Sequence, residues 1–318
     1  MVARLAQPVQ DIPINVYPPL NTMRTTLCLA GLMLATITMA QEQSQAVSPS
    51  PQTEQTQSAD LMTMTRDPRC GQVLVTCLVG GQALRMMLDT GATHTVLHTE
   101  SADKLKQARW LDTSKMMFRG NAKHPPKMLV ASLKAGGASA PEFPFMVLPL
   151  DAVRQSLVTP IDGILGMDVL GGLPFTFDLR KHEYYWGMPT GGTFEQLYGK
   201  QDQFGRLIMQ VKSTGKQLAL LLDTGSSITR VHQEDWRPGT AGKISAHVGD
   251  VNTAANIQVE EGKPADMEVA RGIVLKGITP IFAQEGQPPV LGMDALKGQV
   301  LIHMPLEDHL YGVFLMQK

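Results

Sequence analysis

Two aspartates stand at the ends of apolar runs and could work as a pair of acids. Asp89 follows two methionines and a leucine in "MMLDTGATHT", and Asp223 follows three leucines in "LLLDTGSSIT". Two carboxyl groups brought together cannot both ionise easily, so they share one proton. One acid can then act as a general base on a water molecule while the other donates to a carbonyl oxygen. This chemistry hydrolyses an amide with no metal and no covalent intermediate.

The residues after each aspartate suit such a pair. Thr90 and Thr224 carry hydroxyl groups that we expect to hydrogen-bond across to the opposite loop. Gly91 and Gly225 have no side chain, so backbone N–H groups can approach the carboxylates closely. The sequence therefore predicts that the two Asp-Thr-Gly loops meet face to face.

The fourth position of the two motifs differs. It is Ala92 in the first and Ser226 in the second. We expect the Ser226 hydroxyl to hydrogen-bond the outer oxygen of Asp223, and alanine cannot do the same for Asp89. Since a hydrogen bond to the ionised form lowers the pKa of a carboxyl group, this difference predicts that the two acids are poised unequally.

The chain repeats a larger unit around each aspartate. "GQVLVTCLVGGQALRMMLDTGAT" and "FGRLIMQVKSTGKQLALLLDTGSS" each contain two apolar runs separated by a glycine-containing turn, which predicts a β-hairpin. A second pair of blocks, "DGILGMDVL" and "PPVLGMDAL", follows at similar distances. Helical signal is confined mainly to residues 99–110, where Thr99 could cap a helix. The pattern predicts an all-β protein of two similar β-barrel lobes.

The domain boundaries follow from composition. Residues 1–40 form a leader whose signal peptide starts at Met23, because a charged residue, an apolar run and a small-x-small site follow that methionine. Residues 41–66 are rich in Gln, Ser, Thr and Pro and predict a disordered spacer. The N-terminal lobe should cover 67–190 and the C-terminal lobe 191–318. The leader predicts export to the periplasm or the exterior, with no stable membrane span after cleavage.

At these motifs the sequence resembles the aspartic protease superfamily, which includes retropepsins and pepsins. The resemblance covers about residues 70–318 and implies an acid-protease fold with a pseudo-two-fold axis between the lobes. It also implies that two apolar blocks pack beneath the catalytic loops. These blocks comprise Ile164, Leu165, Gly166, Val290, Leu291 and Gly292.

The resemblance implies an aspartic endopeptidase in which Asp89 and Asp223 activate a water against a peptide or protein substrate, with no cofactor. One chain would supply the whole site, which predicts a monomer. The sequence departs from pepsins in having no tyrosine between Asp89 and His182. The alternative is a non-catalytic peptide-binding protein on the same fold, although a binding module has no use for two acids that share a proton.

Other function classes find little support. Lysine plus arginine number 28 and aspartate plus glutamate 29, so the net charge of −1 argues against a nucleic-acid surface. His94 and His98 would lie about 13 Å apart along a strand, too far to share one zinc. Cys70 and Cys77 would lie about 23 Å apart on one strand, beyond disulfide reach. The sequence therefore predicts no metal site and no disulfide framework.

Overall fold

The computed structural model describes residues 64–113, 126–189, 194–196, 199–202, 204–249, 254–270, 272–305 and 311–316, and every structural statement concerns these residues. The predicted leader and the predicted lobe boundary at 190/191 lie outside them, as does the spacer up to residue 63. The last three spacer residues, Met64–Arg66, are ordered as a strand, so the predicted disorder is wrong there. The reason is that Met64 is apolar and buried, unlike the Gln, Ser and Thr residues that make up most of the spacer.

The first lobe is a single sheet of eight strands that begins with this short strand, β1. The order across the sheet is β1-β2-β3-β8-β4-β7-β6-β5, and β2 also pairs with β6. The extra pairing closes six of the strands into a barrel, which removes the exposed edges that an open sheet would leave. The strands are β1 (Met64–Arg66), β2 (Val73–Val79), β3 (Gln82–Leu88), β4 (Val96–His98), β5 (Arg109–Leu111), β6 (Lys127–Ala135), β7 (Ala138–Leu148) and β8 (Gly163–Leu165).

The second lobe repeats this plan in a ten-stranded sheet. Its members are β12 (Gly199–Gln201), β13 (Leu207–Ser213), β14 (Lys216–Leu222), β15 (Arg230–Val231), β16 (Thr240–Gly249), β17 (Ala254–Gly262), β18 (Ala265–Ala270), β19 (Ile273–Ile278), β20 (Ile281–Phe282) and β21 (Val290–Leu291). The prediction of two β-rich lobes is confirmed, but this lobe is a half-barrel. The place of the long strand β6 is taken in the second lobe by two strands, β17 and β18, and the place of β7 by β19 and β20. Each break contains a proline, Pro264 or Pro280, which cannot donate to a strand ladder.

A third sheet takes strands from both predicted lobes. Its order is β10-β9-β22-β23-β11, so the last strands of the chain lie between strands that follow the first lobe. The strands are β9 (Phe175–Asp178), β10 (Glu183–Trp186), β11 (Phe194–Gln196), β22 (Val300–Pro305) and β23 (Tyr311–Met316). We call this sheet the inter-lobe sheet.

Helices are few and short in the described residues. They are α1 (Thr99–Asp103), α2 (Asp151–Ser156) and α3 (Met167–Leu170), with a 3-10 turn at Gln233–Asp235. The predicted helix over 99–110 is therefore wrong beyond Asp103, because Arg109–Leu111 instead pair with β6. The predicted cap is also wrong: His98 precedes the helix and makes no side-chain cap. None of the described helices has the length and apolar character that crossing a membrane requires.

Candidate active site

The two predicted aspartates meet between the lobes. Asp89 follows β3 and Asp223 follows β14, and their side chains hydrogen-bond to each other. A Cβ atom on Gly91 would lie 2.6 Å from the carboxyl carbon of Asp223, and one on Gly225 would collide with that of Asp89. Both glycines are therefore required by close approach, since any side chain at either position would separate the two acids.

The strands beneath the loops hold each aspartate at its backbone. The Asp89 N–H donates to the carbonyl oxygen of Leu165 at 3.1 Å, and the Asp223 N–H donates to that of Leu291 at 3.1 Å. These bonds extend the parallel pairing of β3 with β8 and of β14 with β21. The residues that the resemblance placed beneath the loops are all buried there: Ile164, Leu165, Gly166, Val290, Leu291 and Gly292.

The two threonines lock the loops together across the lobes. The Thr90 hydroxyl donates to the Leu222 carbonyl at 2.8 Å and accepts the Thr224 N–H at 3.1 Å. The Thr224 hydroxyl donates to the Leu88 carbonyl at 3.0 Å and accepts the Thr90 N–H at 3.1 Å. All of these bonds are buried. The expected cross-lobe contact is present, and it is reciprocal.

Backbone N–H groups hold the carboxyl oxygens. Oδ1 of Asp89 accepts the N–H of Gly91 at 2.8 Å and that of Ala92 at 3.0 Å. Oδ1 of Asp223 accepts the N–H of Ser226 at 3.0 Å. The acids are thus fixed by the turns that follow them, as the small residues of the motif allow.

The expected role of the Ser226 side chain is wrong. Its hydroxyl donates to the carbonyl oxygen of Ile228 at 2.8 Å, two residues along the same turn, and not to Asp223. A serine hydroxyl has one proton to donate. The local turn therefore takes the hydrogen bond that was assigned to the catalytic acid, and the difference between Ala92 and Ser226 does not distinguish the two aspartates.

A second pair of threonines and aspartates supports the loops and was not singled out from the sequence. The Thr95 hydroxyl donates to Asp168 at 2.6 Å and accepts the Gly166 N–H at 3.1 Å. The Thr229 hydroxyl donates to Asp294 at 2.7 Å and makes the matching contact with the Gly292 N–H at 3.1 Å. The signal was available, because both threonines lie six residues after the motif aspartate and both acids end a Leu-Gly-Met-Asp block.

A third pair of side chains reaches across to the opposite loop. The Gln72 side-chain amide donates to the Gly225 carbonyl at 3.0 Å, and an Arg206 guanidinium N–H donates to the Gly91 carbonyl at 3.3 Å. Arg206 is itself held by an ion pair with Asp202 at 2.6 Å. Gln72 and Arg206 both lie seventeen residues before their own motif aspartate, so the repeat could have revealed them.

The two acids differ in their electrostatic surroundings. The pKa of Asp89 is raised well above its ordinary value, first by burial and then by repulsion from Asp223. The pKa of Asp223 is also raised by burial, but the positive charge of Arg230 opposes that rise. Both carboxyl groups therefore have raised pKa values, and the buried pair holds one proton between them.

Other candidate groups do not form a site. Within the described residues, no group of three His, Cys, Asp or Glu side chains is placed to hold a metal ion. His98 is buried, and its Nδ1 accepts the N–H of Leu150 at 2.9 Å. Burial raises the pKa of the Cys70 and Cys77 thiols to about 12, so neither is an activated nucleophile.

Part of the sequence matches a known protein family. Residues 75–169, in the first lobe, match a family model described as aspartyl protease. The crystal structure of basic 7S globulin from soybean is similar at 11% identity and a TM-score of 0.47, covering 80% of this chain and 93% of that one. No curated protein matches the sequence. The family match and the all-β two-lobed fold fit the aspartic protease superfamily and confirm the predicted resemblance.

Proposed function

We propose that this protein is an aspartic endopeptidase that hydrolyses peptide bonds with a water activated between Asp89 and Asp223. The observation that carries the proposal is the close approach of the two buried carboxyl groups at a junction locked by Thr90 and Thr224. A pair of acids sharing one proton can give and take a proton in the same step.

In the proposed reaction Asp89 starts with the shared proton, because the positive charge of Arg230 favours the ionised form of Asp223. Asp223 takes a proton from the water as the water oxygen bonds to the peptide carbonyl carbon, while Asp89 donates its proton to the carbonyl oxygen. The tetrahedral intermediate then collapses: the carbon–nitrogen bond breaks, Asp223 returns its proton to the leaving nitrogen, and Asp89 recovers a proton from the intermediate's hydroxyl. The products are a carboxylic acid and an amine. The two pKa values of the pH profile belong to the pair and not to either residue alone.

Turnover by the chain without residues 1–40 tests the proposal. The assay is cleavage of a denatured protein and of a random peptide library between pH 3 and 8, read by mass spectrometry. We expect cleavage that a statine-type transition-state analogue blocks. Asp89→Asn and Asp223→Asn should each reduce kcat/KM by about a thousandfold or more, because neither acid can serve alone as donor and base.

Asp151→Asn is the matched control, because it makes the same chemical change at an exposed aspartate on α2. It should cleave like the wild type. If the wild type bound peptides without cutting them, the protein would instead be the peptide-binding alternative. Substantial activity in Asp89→Asn or Asp223→Asn would contradict the shared-proton mechanism.

We further propose that the protein is exported and works as a monomer. Export is supported by the leader pattern after Met23, and the monomer by the presence of both acids in one chain. N-terminal sequencing of protein secreted or released from the periplasm should begin just after Ala40. Mature protein that retained the leader inside the cell would contradict export, and elution as a dimer at assay concentration would contradict the monomer.

A further inference from the structure

One positive charge breaks the two-fold symmetry beside the acids. Val96 of β4 and Arg230 of β15 both lie seven residues after the motif aspartate. Val96 aligns with Ile164 of β8, and Arg230 aligns with Val290 of β21. The two residues therefore occupy equivalent places next to the strands that hold the aspartates. An apolar side chain stands at this place in the first lobe, and a guanidinium stands at it in the second.

The guanidinium of Arg230 is incompletely satisfied. Its Nε is buried and has no hydrogen-bond partner among the described residues. Its positive charge interacts electrostatically with the carboxyl group of Asp223. A buried N–H donor without a partner is costly, and most such groups in folded proteins are paired with protein, water or ligand. Arg230 thus has a hydrogen-bond donor that none of the described residues uses.

The two lobes also differ in what covers this place. In the first lobe Val96 belongs to an apolar cluster closed by Leu150, Leu157 and Ile161, all from the segment between β7 and β8. In the second lobe the corresponding segment, residues 283–289, reads Ala-Gln-Glu-Gly-Gln-Pro-Pro. It contains no large apolar side chain, and most of its residues are exposed or half-buried. That segment gives Arg230 no apolar cover, and Arg230 is half-buried, whereas Val96 is buried.

We infer that Arg230 forms a substrate subsite in the second lobe that takes the carboxylate of an aspartate or glutamate flanking the scissile bond. The inference rests on the proposed endopeptidase function. A guanidinium carries five N–H donors in a fixed fork, so Arg230 can hold a substrate carboxylate while keeping its attraction to Asp223. Arg230 is therefore a specificity-determining residue and not a proton carrier.

Matched peptides test the subsite. A cleaved peptide is remade with Glu, Gln or Leu at each position on either side of the cut, and kcat/KM is measured for each. We expect one position at which Glu exceeds its neutral isostere Gln by about tenfold or more, the size of a charge-assisted hydrogen bond. The ratio within one enzyme cancels any effect of Arg230 on the acids. A Glu-to-Gln ratio near one at every position would overturn the inference while leaving the protease proposal intact.

Variants assign the preference to Arg230. Arg230→Met keeps the length of the side chain without the charge and should bring the Glu-to-Gln ratio close to one. Arg237→Met is the control, because Arg237 is an exposed arginine of the same lobe, and it should keep the wild-type ratio. If Arg230→Met does not fold, Arg230→Lys decides: the ratio must fall because lysine lacks the fork, and an unchanged ratio would overturn the inference.

Binding to an inactive variant separates this inference from the proposed function. Asp89→Asn is titrated calorimetrically with the Glu and Gln peptides, with and without Arg230→Met. Tighter binding of the Glu peptide that disappears with Arg230→Met supports the subsite even if the wild type proves unable to cut. Equal binding of the two peptides would overturn it.

Discussion

The cross-lobe threonine lock gives the sharpest quantitative prediction. Thr90→Val preserves the shape of the side chain but removes the hydroxyl. Two buried groups then lose their partner, the Leu222 carbonyl and the Thr224 N–H. Each unsatisfied buried group costs about 1–3 kcal/mol, so we expect the free energy of unfolding to fall by about 2–6 kcal/mol. Thr224→Val leaves two different groups without a partner, the Leu88 carbonyl and the Thr90 N–H, and its cost should be similar.

The double variant loses all four bonds of the lock. Thr90→Val and Thr224→Val together leave four different backbone groups without a partner, at a cost of about 4–12 kcal/mol. That sum is comparable to the whole stability of a typical domain, about 5–15 kcal/mol. We therefore expect the double variant not to fold at room temperature.

Urea unfolding provides the measurement, with Thr176→Val as the matched control. Thr176 is a buried threonine of the inter-lobe sheet whose hydroxyl donates one hydrogen bond, to the Gly187 carbonyl at 2.8 Å. Its loss should cost about 1–3 kcal/mol. The comparison holds only when the variants share a common urea slope. A cost for Thr90→Val at or below that of Thr176→Val would refute the reasoning, because two orphaned groups would then count no more than one.

Three further outcomes follow from the site. Asp89→Asn should raise the free energy of unfolding at pH 7 and lose that advantage as pH falls toward about 4. The reason is that the raised pKa of Asp89 makes its ionisation unfavourable in the folded state only. A stability difference that does not change with pH would contradict this prediction. Ser226→Ala should leave both limbs of the pH profile of kcat/KM in place, since the hydroxyl donates to the Ile228 carbonyl. A shift of the acidic limb toward higher pH would show that the hydroxyl does hydrogen-bond Asp223. Arg206→Met should lower kcat by more than its loss of thermal stability explains, judged against a surface variant of the same melting temperature. Unchanged kcat would show that the bond from Arg206 to the first loop does not position the acids.

The sequence was most informative where the repeat imposed the same physics twice. Asp89 and Asp223, the hairpins before them and the Leu-Gly blocks beneath them were predicted because each motif needs a partner to make chemical sense. The half-barrel form of the second lobe could not be predicted, since it depends on where long strands break. The strand Arg109–Leu111 was missed because pairing with β6 overrides local helix preference.

Side-chain partners were harder to predict than backbone elements. Ser226 was assigned to the nearest acid, yet its hydroxyl found a closer carbonyl within its own turn. Gln72 and Arg206 lie away from the motif itself, and although their matching places in the repeat could have drawn attention to them, their contacts form only when the lobes face each other. Aligning the two halves of the chain residue by residue would have drawn attention to the valine-to-arginine difference, although not to the orphaned Nε.

The inter-lobe sheet determines when during synthesis the two acids can meet. The first barrel uses only residues 73–165 and can close while later residues are still being added to the chain. Asp89 then has no partner acid, because Asp223 belongs to the second lobe, which is made later. The sheet that joins the lobes is completed by Val300–Pro305 and Tyr311–Met316, which follow both lobes in the sequence. A growing polypeptide therefore carries half of the site until the second lobe and these two strands have been made.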